Sequence, residues 1–296
     1  MPQKFQSRIP SIPHTFRPET VSQALGFFIA AAGSAVLGGW FLSPWAQSIL
    51  PHCVPMKANT AFCFVFIGIA LVLLNNKKLS NRLTLIATDL SACVVFAIGF
   101  ITVCEYACGW NAFIDNLIVQ GSHTTILAIH PGRMAFNSAI NFVLIGAALA
   151  MIPSGKRLLI YVAQIMVLIA AITSLFAFTG YLYGANPYIM DIKFCSTVMA
   201  LVLFLASCFS FFLARPRTGL MNTVTSKMSG GRMIRIIWPI VILIPISVDW
   251  LKLTLLKHGF VSDEISVALV AIINLTVVSS FIYIFASLVN KHEHEL

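Results

Sequence analysis

The sequence predicts an all-α integral membrane protein of about eight transmembrane helices, arranged as three parallel helical-hairpin repeats with one flanking helix at each end. Three observations predict it. Apolar residues make up 58% of the 296 and charged residues only 10%, against about 25% charged in soluble domains. The apolar residues gather into runs of bilayer-spanning length, and one of these runs recurs further along the chain. A water-soluble globule is thereby excluded. So is a disordered chain, because 23 Phe are the reverse of the polar, charged mixture that keeps a chain unfolded.

A bilayer core about 30 Å thick needs roughly 20 apolar residues per helix. Runs of that kind, bounded by charge or turn residues, lie near 22 to 43, 56 to 75, 83 to 105, 134 to 152, 157 to 181, 193 to 214, 235 to 256 and 265 to 290. The first is too long for a signal-peptide core and lacks a small-residue cleavage site, so it reads as a retained helix. The segment from Gly109 to Arg133 contains "AFIDNLIV", which suits a helix lying at the membrane surface. Pro239 and Pro245 fall inside the seventh run, where each removes a backbone donor and favours a kink.

The net charge of +9 does not point to nucleic acid, because the basic residues sit in short clusters between apolar runs. They are a topology signal. One side carries Lys4, Arg8, Arg17, Lys77, Lys78, Arg82, Lys156, Arg157, Arg215, Arg217, Lys227, Arg232, Arg235 and Lys291; the other carries Lys57, Arg133, Lys193, Lys252 and Lys257. Fourteen against five places both termini in the cytoplasm, with residues 1–21 a cytoplasmic segment, 22–290 one polytopic membrane domain and 291–296 a cytoplasmic tail. The seven cysteines, an odd number scattered through apolar segments, read as small buried hydrophobes rather than a disulfide framework.

"MKANTAFCFVFIGIAL" at Met56 to Leu71 matches "MAFNSAINFVLIGAAL" at Met134 to Leu149 without a gap, a strong internal repeat. "EYACG" at Glu105 and "GYLYG" at Gly180 pair in the same way, and a decayed third copy would set Ser196 and Thr197 against Asn59 and Thr60, and Asp249 and Trp250 against Glu105 and Tyr106. Units that begin outside, dip to the cytoplasm and return are parallel repeats about an axis along the membrane normal, unlike the inverted pair of many transporters.

The repeated Asn59 and Asn137 stand where helices enter the bilayer. Their leading role is to cap exposed backbone N–H groups, with ligand contact the alternative. Asn141 lies one turn below Asn137, so a polar stripe runs inward. Gly68 and Gly146 suit close helix packing. Ionisable residues in a membrane are functional candidates by default, and Asp89, Glu105 and Asp249 qualify; structural pairing, with Arg82 or a neighbouring helix in the case of Asp89, competes with ligand recognition. A ligand site at the outer helix ends would gather Asn59, Glu105, Tyr106, Asn137, Tyr181, Asp249 and Trp250, a mixture of aromatic walls and a few polar groups typical of small-ligand sites. His52 with Met56 and His130 with Met134 share the spacing H-x-x-x-M, a copper or haem pairing in principle. The intervening prolines argue against it, and no metal is assigned. The tail "KHEHEL" reads as a solvated end. Hydrolase, zinc and phosphate-loop motifs do not occur, so no catalytic residues are assigned and no cofactor is identified.

From Gly39 to about Asn290 the chain resembles the polytopic N-terminal membrane sensory region of bacterial sensor histidine kinases and diguanylate cyclases, the part upstream of PAS, kinase or GGDEF domains. The features that carry the resemblance are "MKANTAFCF", "EYACG" with "FIDNLI", "PGRMAFNSA", "GYLYG", "ARPRTGLM", "TSKMSGGRMIRIIWP" and "DWLKL" with Gly259. Relatives usually continue into a charged coiled coil and an output domain, whereas this sequence ends six residues after Asn290. The resemblance therefore implies a non-enzymatic sensory or regulatory module of the bacterial inner membrane. Such a module would detect a ligand or membrane state at the outer face and act through a cytoplasmic kinase, cyclase or other signalling partner, with the lipid bilayer as its surroundings and a homodimer as an accessible state. A small transporter or channel is the alternative function, an integral-membrane enzyme the second alternative, and a truncated gene product the remainder.

Overall fold

The computed structural model describes residues 17–42, 56–75, 82–109, 133–182, 198–226 and 229–257, with 270, 272–277 and 279–280 near the C-terminus. Regular structure among them is helical throughout: α1 Pro18–Leu42, α2 Ala58–Asn75, α3 Arg82–Cys108, α4 Phe136–Met151, α5 Arg157–Leu182, α6 Val198–Ala214, α7 Leu220–Thr225 and α8 Ser229–Lys257. Five segments, α1, α2, α3, α5 and α4 taken with the 3-10 turn that continues it to Ser154, are long and apolar enough to cross a membrane, which makes this a multi-pass membrane protein. The described part of α6 is apolar but shorter, at 17 residues. α8 occupies the seventh apolar run and continues through Pro239 and Pro245. Of the eighth run, residues 272–277 are helical. The segments expected as a surface helix near 110–132 and as the third copy's entry at Ser196 and Thr197 lie outside the described residues.

Local chemistry sets the helix ends. Pro18 opens α1 at a position whose N–H would have no helical partner, α3 stops before Gly109 at φ 64°, and α4 gives way to a 3-10 turn, Ile152–Ser154, that contains Pro153 and closes on Gly155 at φ 68°. The capping role expected for Asn137 is not met: the N-cap of α4 is Ala135, which makes no side-chain cap bond, and Asn137 lies within the first helical turn.

α1 packs on α2 and α6, α3 on α2 and α4, and α5 on α4 and α6, so six helices close into a ring in which α2, α4 and α6 also meet one another. Phe64, Phe142 and Phe204, one from each inner helix, are wholly buried. Their ring centroids are 5.2 Å apart for Phe64 and Phe142, 4.8 Å for Phe64 and Phe204, and 4.7 Å for Phe142 and Phe204. Lipid removes most of the hydrophobic drive between helices, leaving close packing and hydrogen bonds to hold them, and this three-ring cluster supplies the first.

Glycines let the backbones approach. A Cβ on Gly68 would stand 2.5 Å from the Ala30 nitrogen, and one on Gly33 would stand 2.7 Å from the Ala61 oxygen, with Val65 next. The α3–α4 contact repeats this: a Cβ on Gly146 would stand 2.6 Å from the Phe96 nitrogen, and one on Gly99 would stand 2.8 Å from the Ala139 oxygen, with Val143 next. Each α3 member follows its α1 counterpart by 66 residues, and each α4 member follows its α2 counterpart by 78.

Polar ties complete the ring. Asn141 of α4 donates to Ser174 Oγ at 3.0 Å and accepts from Thr173 Oγ1 at 2.7 Å, both on α5. Ser22 of α1 and Ser210 of α6 donate to each other's carbonyl oxygens at 2.7 and 2.9 Å, and Asn75 of α2 donates to Ser22 Oγ at 2.8 Å. Buried Gln164 of α5 clasps the turn after α6: its amide donates to Thr218 O at 3.1 Å, and its oxygen accepts from Leu220 N at 2.6 Å. In that turn, burial lowers the pKa of Arg215, and the nearby Glu19 carboxylate opposes the shift.

Candidate functional site

The C-terminal ends of α1 and α3 meet the N-terminal ends of α2 and α4 at one end of the bundle. There the indole N–H of Trp40 donates to Met56 O at 2.9 Å, and the phenol of Tyr106 donates to Met134 O at 3.0 Å. Trp40 and Tyr106 differ by the same 66 residues, and Met56 and Met134 by the same 78, as the packing contacts below them. One lock therefore closes both helix pairs.

The α3–α4 pair has something further. Arg133 Nε lies 3.4 Å from Glu105 Oε2, and the two side chains are 2% and 0% exposed. The guanidinium carbon also stands 5.3 Å from the centre of the Tyr106 ring, close enough for a cation–π contact. That ring also meets Phe136 edge-on, with ring centroids 5.4 Å apart. Removing two charges from water costs more than their attraction returns unless geometry and further contacts compensate; the aromatic face is one such compensation. Chemically, the arrangement holds a carboxylate and a cation away from solvent, and displacing one strands the other.

Glu105 and Tyr106 thus lie together, beside Met134. Asn59 and Thr60 are buried at the head of α2, Asn137 is half-buried at the head of α4, and Met56 and Met134 are both buried. Tyr181 lies in the last turn of α5, with its side chain outside the described residues. Asp249 is half-buried and Trp250 exposed on α8, which packs on α7. His52 and His130 lie outside the described residues, among which no group of three or more His, Cys, Asp or Glu is placed to hold a metal. Asp89, expected to pair with Arg82 or a neighbouring helix, is instead exposed on α3.

Sequence reasoning missed Arg133, counted only as a topology charge, and Trp40, outside the matched repeat. A comparison of α1 with α3 anchored on Gly33 and Gly99 would have aligned Trp40 with Tyr106 and set Gly39 against Glu105. Gln164, Thr173, Ser174 and Ser210 gave no pattern to find. The chain matches no protein-family model, no curated protein and no solved structure.

Proposed function

We propose that this protein is a sensory or regulatory module of bacterial signal transduction in the inner membrane. It detects a ligand or membrane state at the outer face and acts through a separate cytoplasmic partner such as a kinase or cyclase. The basic residues orient it with both termini inside, which puts the Trp40 and Tyr106 end outside and the Gln164-clasped turn inside. In this reading eight helices span the bilayer, and three hairpins, α1–α2, α3–α4 and α5–α6, surround the phenylalanine cluster as parallel repeats. The equal contacts at equal offsets favour a unit that starts at α1, one helix earlier than the sequence pairing of "EYACG" with "GYLYG" suggested.

The observation that carries the reading is the buried Glu105–Arg133 pair. At the corresponding positions of the α1–α2 pair stand Gly39 and Pro55, and that pair closes with the same aromatic-to-carbonyl lock without an ion pair at those two positions. The ion pair is therefore additional to what the architecture needs, and expensive intramembrane charge is retained chiefly for function. Its route inward runs down α4 to the Asn141 tie, across to α5, and along α5 to Gln164 and the turn that leads to α7.

The test uses the full chain in its host cell, reading phosphorylation of cytoplasmic kinases and the cyclic dinucleotide pool. Deletion should alter one of these outputs. The double variant Glu105→Gln with Arg133→Gln, neutral at both sites and shown to be folded by thermal unfolding in detergent, should fail to restore it. No change on deletion, or full restoration by the double variant, overturns the proposal.

A further inference from the structure

The outward faces of the spanning helices are apolar, as lipid requires. On α5 they present Tyr161, Ile165, Ile169, Ile172 and Phe176, and on α1 Phe27, Phe28 and Phe41. α3 departs from this rule. Its outward face carries Ile86, Leu90 and Phe100, and among them Asp89. Among the described residues, Asp89 is the one Asp, Glu, Lys or Arg that is both exposed and inside a spanning helix rather than in its first or last turn.

Asp89 stands seven residues beyond Arg82, a rise of roughly 10 Å along the helix. A lysine or arginine at that depth could extend its long stem to the interface, but aspartate has a single methylene and cannot. Nor does the bundle satisfy it. The neighbouring hydroxyls bond within their own helix, Thr88 to Thr84 O and Ser91 to Ala87 O, both at 2.8 Å. No hydrogen bond or ion pair joins Asp89 to another described residue. One and two turns further on, the same face narrows to Cys93 and Ala97, both exposed, the small-xxx-small spacing that lets a second helix come close.

We infer that this face of α3 docks a membrane-spanning helix of another protein, one that bears a lysine or arginine level with Asp89. A cation supplies the missing charge at the right depth, and the Cys93 and Ala97 step admits its backbone. A second copy of this chain fits less well: among the described residues its exposed Arg17, Arg82, Lys156, Arg157 and Arg217 stand at or beyond helix ends, and Arg235, in the second turn of α8, is held by the carbonyls of Val224 and Ser226. An ethanolamine headgroup shares that mismatch.

The experiment reconstitutes the full chain in phosphatidylcholine vesicles and adds a tryptophan-free, dansylated leucine-rich helical peptide with one lysine at the matched depth. Energy transfer from the protein's tryptophans reads association. The lysine peptide should bind about tenfold more tightly than its all-leucine counterpart; Asp89→Asn should abolish the preference, and Asp89→Glu should keep it. Equal binding of the two peptides, or a preference that survives Asp89→Asn, overturns the inference. So does Asp89-dependent dimerisation without peptide, read by cross-linking at Cys93, which would seat a second copy there. Loss of the preference when phosphatidylethanolamine replaces phosphatidylcholine would assign the carboxylate to a headgroup and overturn it as well.

Discussion

Tyr106 donates its phenolic hydrogen to the carbonyl of Met134 across 3.0 Å, in the position where Trp40 serves Met56 at 2.9 Å. The two helix pairs so closed repeat each other's glycine contacts, whereas the charge pair beside Tyr106 has Gly39 and Pro55 at its corresponding positions. That difference separates what holds the bundle together from what was added to it.

Breaking the pair on one side should therefore be severe, and neutralising both sides mild. Glu105→Gln and Arg133→Gln should each destabilise by about 3–5 kcal/mol, the usual result of stranding a buried charge. The double variant should lose less than the sum. Unfolding in detergent measures all three, and simple additivity would show that the two groups do not depend on each other.

Close packing at Gly146 allows a sharp contrast. Gly146→Val forces atoms into the Phe96 backbone, already 2.6 Å from where a Cβ would stand, and should cost about 1–3 kcal/mol or more. Gly38→Val, with nothing within 4 Å of its Cβ position, should leave the melting temperature nearly unchanged. Equal effects would mean that α3 and α4 do not meet at Gly146.

Gly219 adopts φ 59°, and a Cβ there would stand against Gln164 Oε1. Gly219→Ala should therefore destabilise through backbone strain of about 1 kcal/mol and loss of the clasp. In a Gln164→Ala background the steric part disappears, so the second substitution should cost less than it does alone. A thermal-unfolding cycle with no coupling between the two positions would remove Gln164 from that turn.

Reporter fusions after Asn76, Ser154 and Thr218 should all read as cytoplasmic, given the fourteen basic residues on that side against five. Periplasmic signal at these sites would invert the orientation, and with it the placement of the Glu105 site at the outer face.

The amino-acid sequence by itself determined that the chain is a multi-pass helical membrane protein and where its first five spans lie, each within a few residues. Span length and end signals are local: a run of about 20 apolar residues must be helical in lipid because its backbone has no other partners, and Pro18, Gly109 and Pro153 stand at the ends of α1, α3 and α4. The repeated Asn-Thr or Asn-Ser and Phe-Val-x-Ile-Gly pattern likewise stood in plain view. What only the tertiary structure decided are the contacts between residues distant in sequence. Glu105 could have met solvent, ligand or base; the crossing of α3 and α4 set Arg133 against it from 28 residues away and sealed both from water. The reverse happened at Asp89, where the turn of α3 placed a carboxylate on the outward face and its first expected partner, Arg82, stayed at the helix start. Which face of a helix turns inward depends on the neighbour it packs against, and for helices this uniformly apolar no hydrophobic stripe along the chain records that choice.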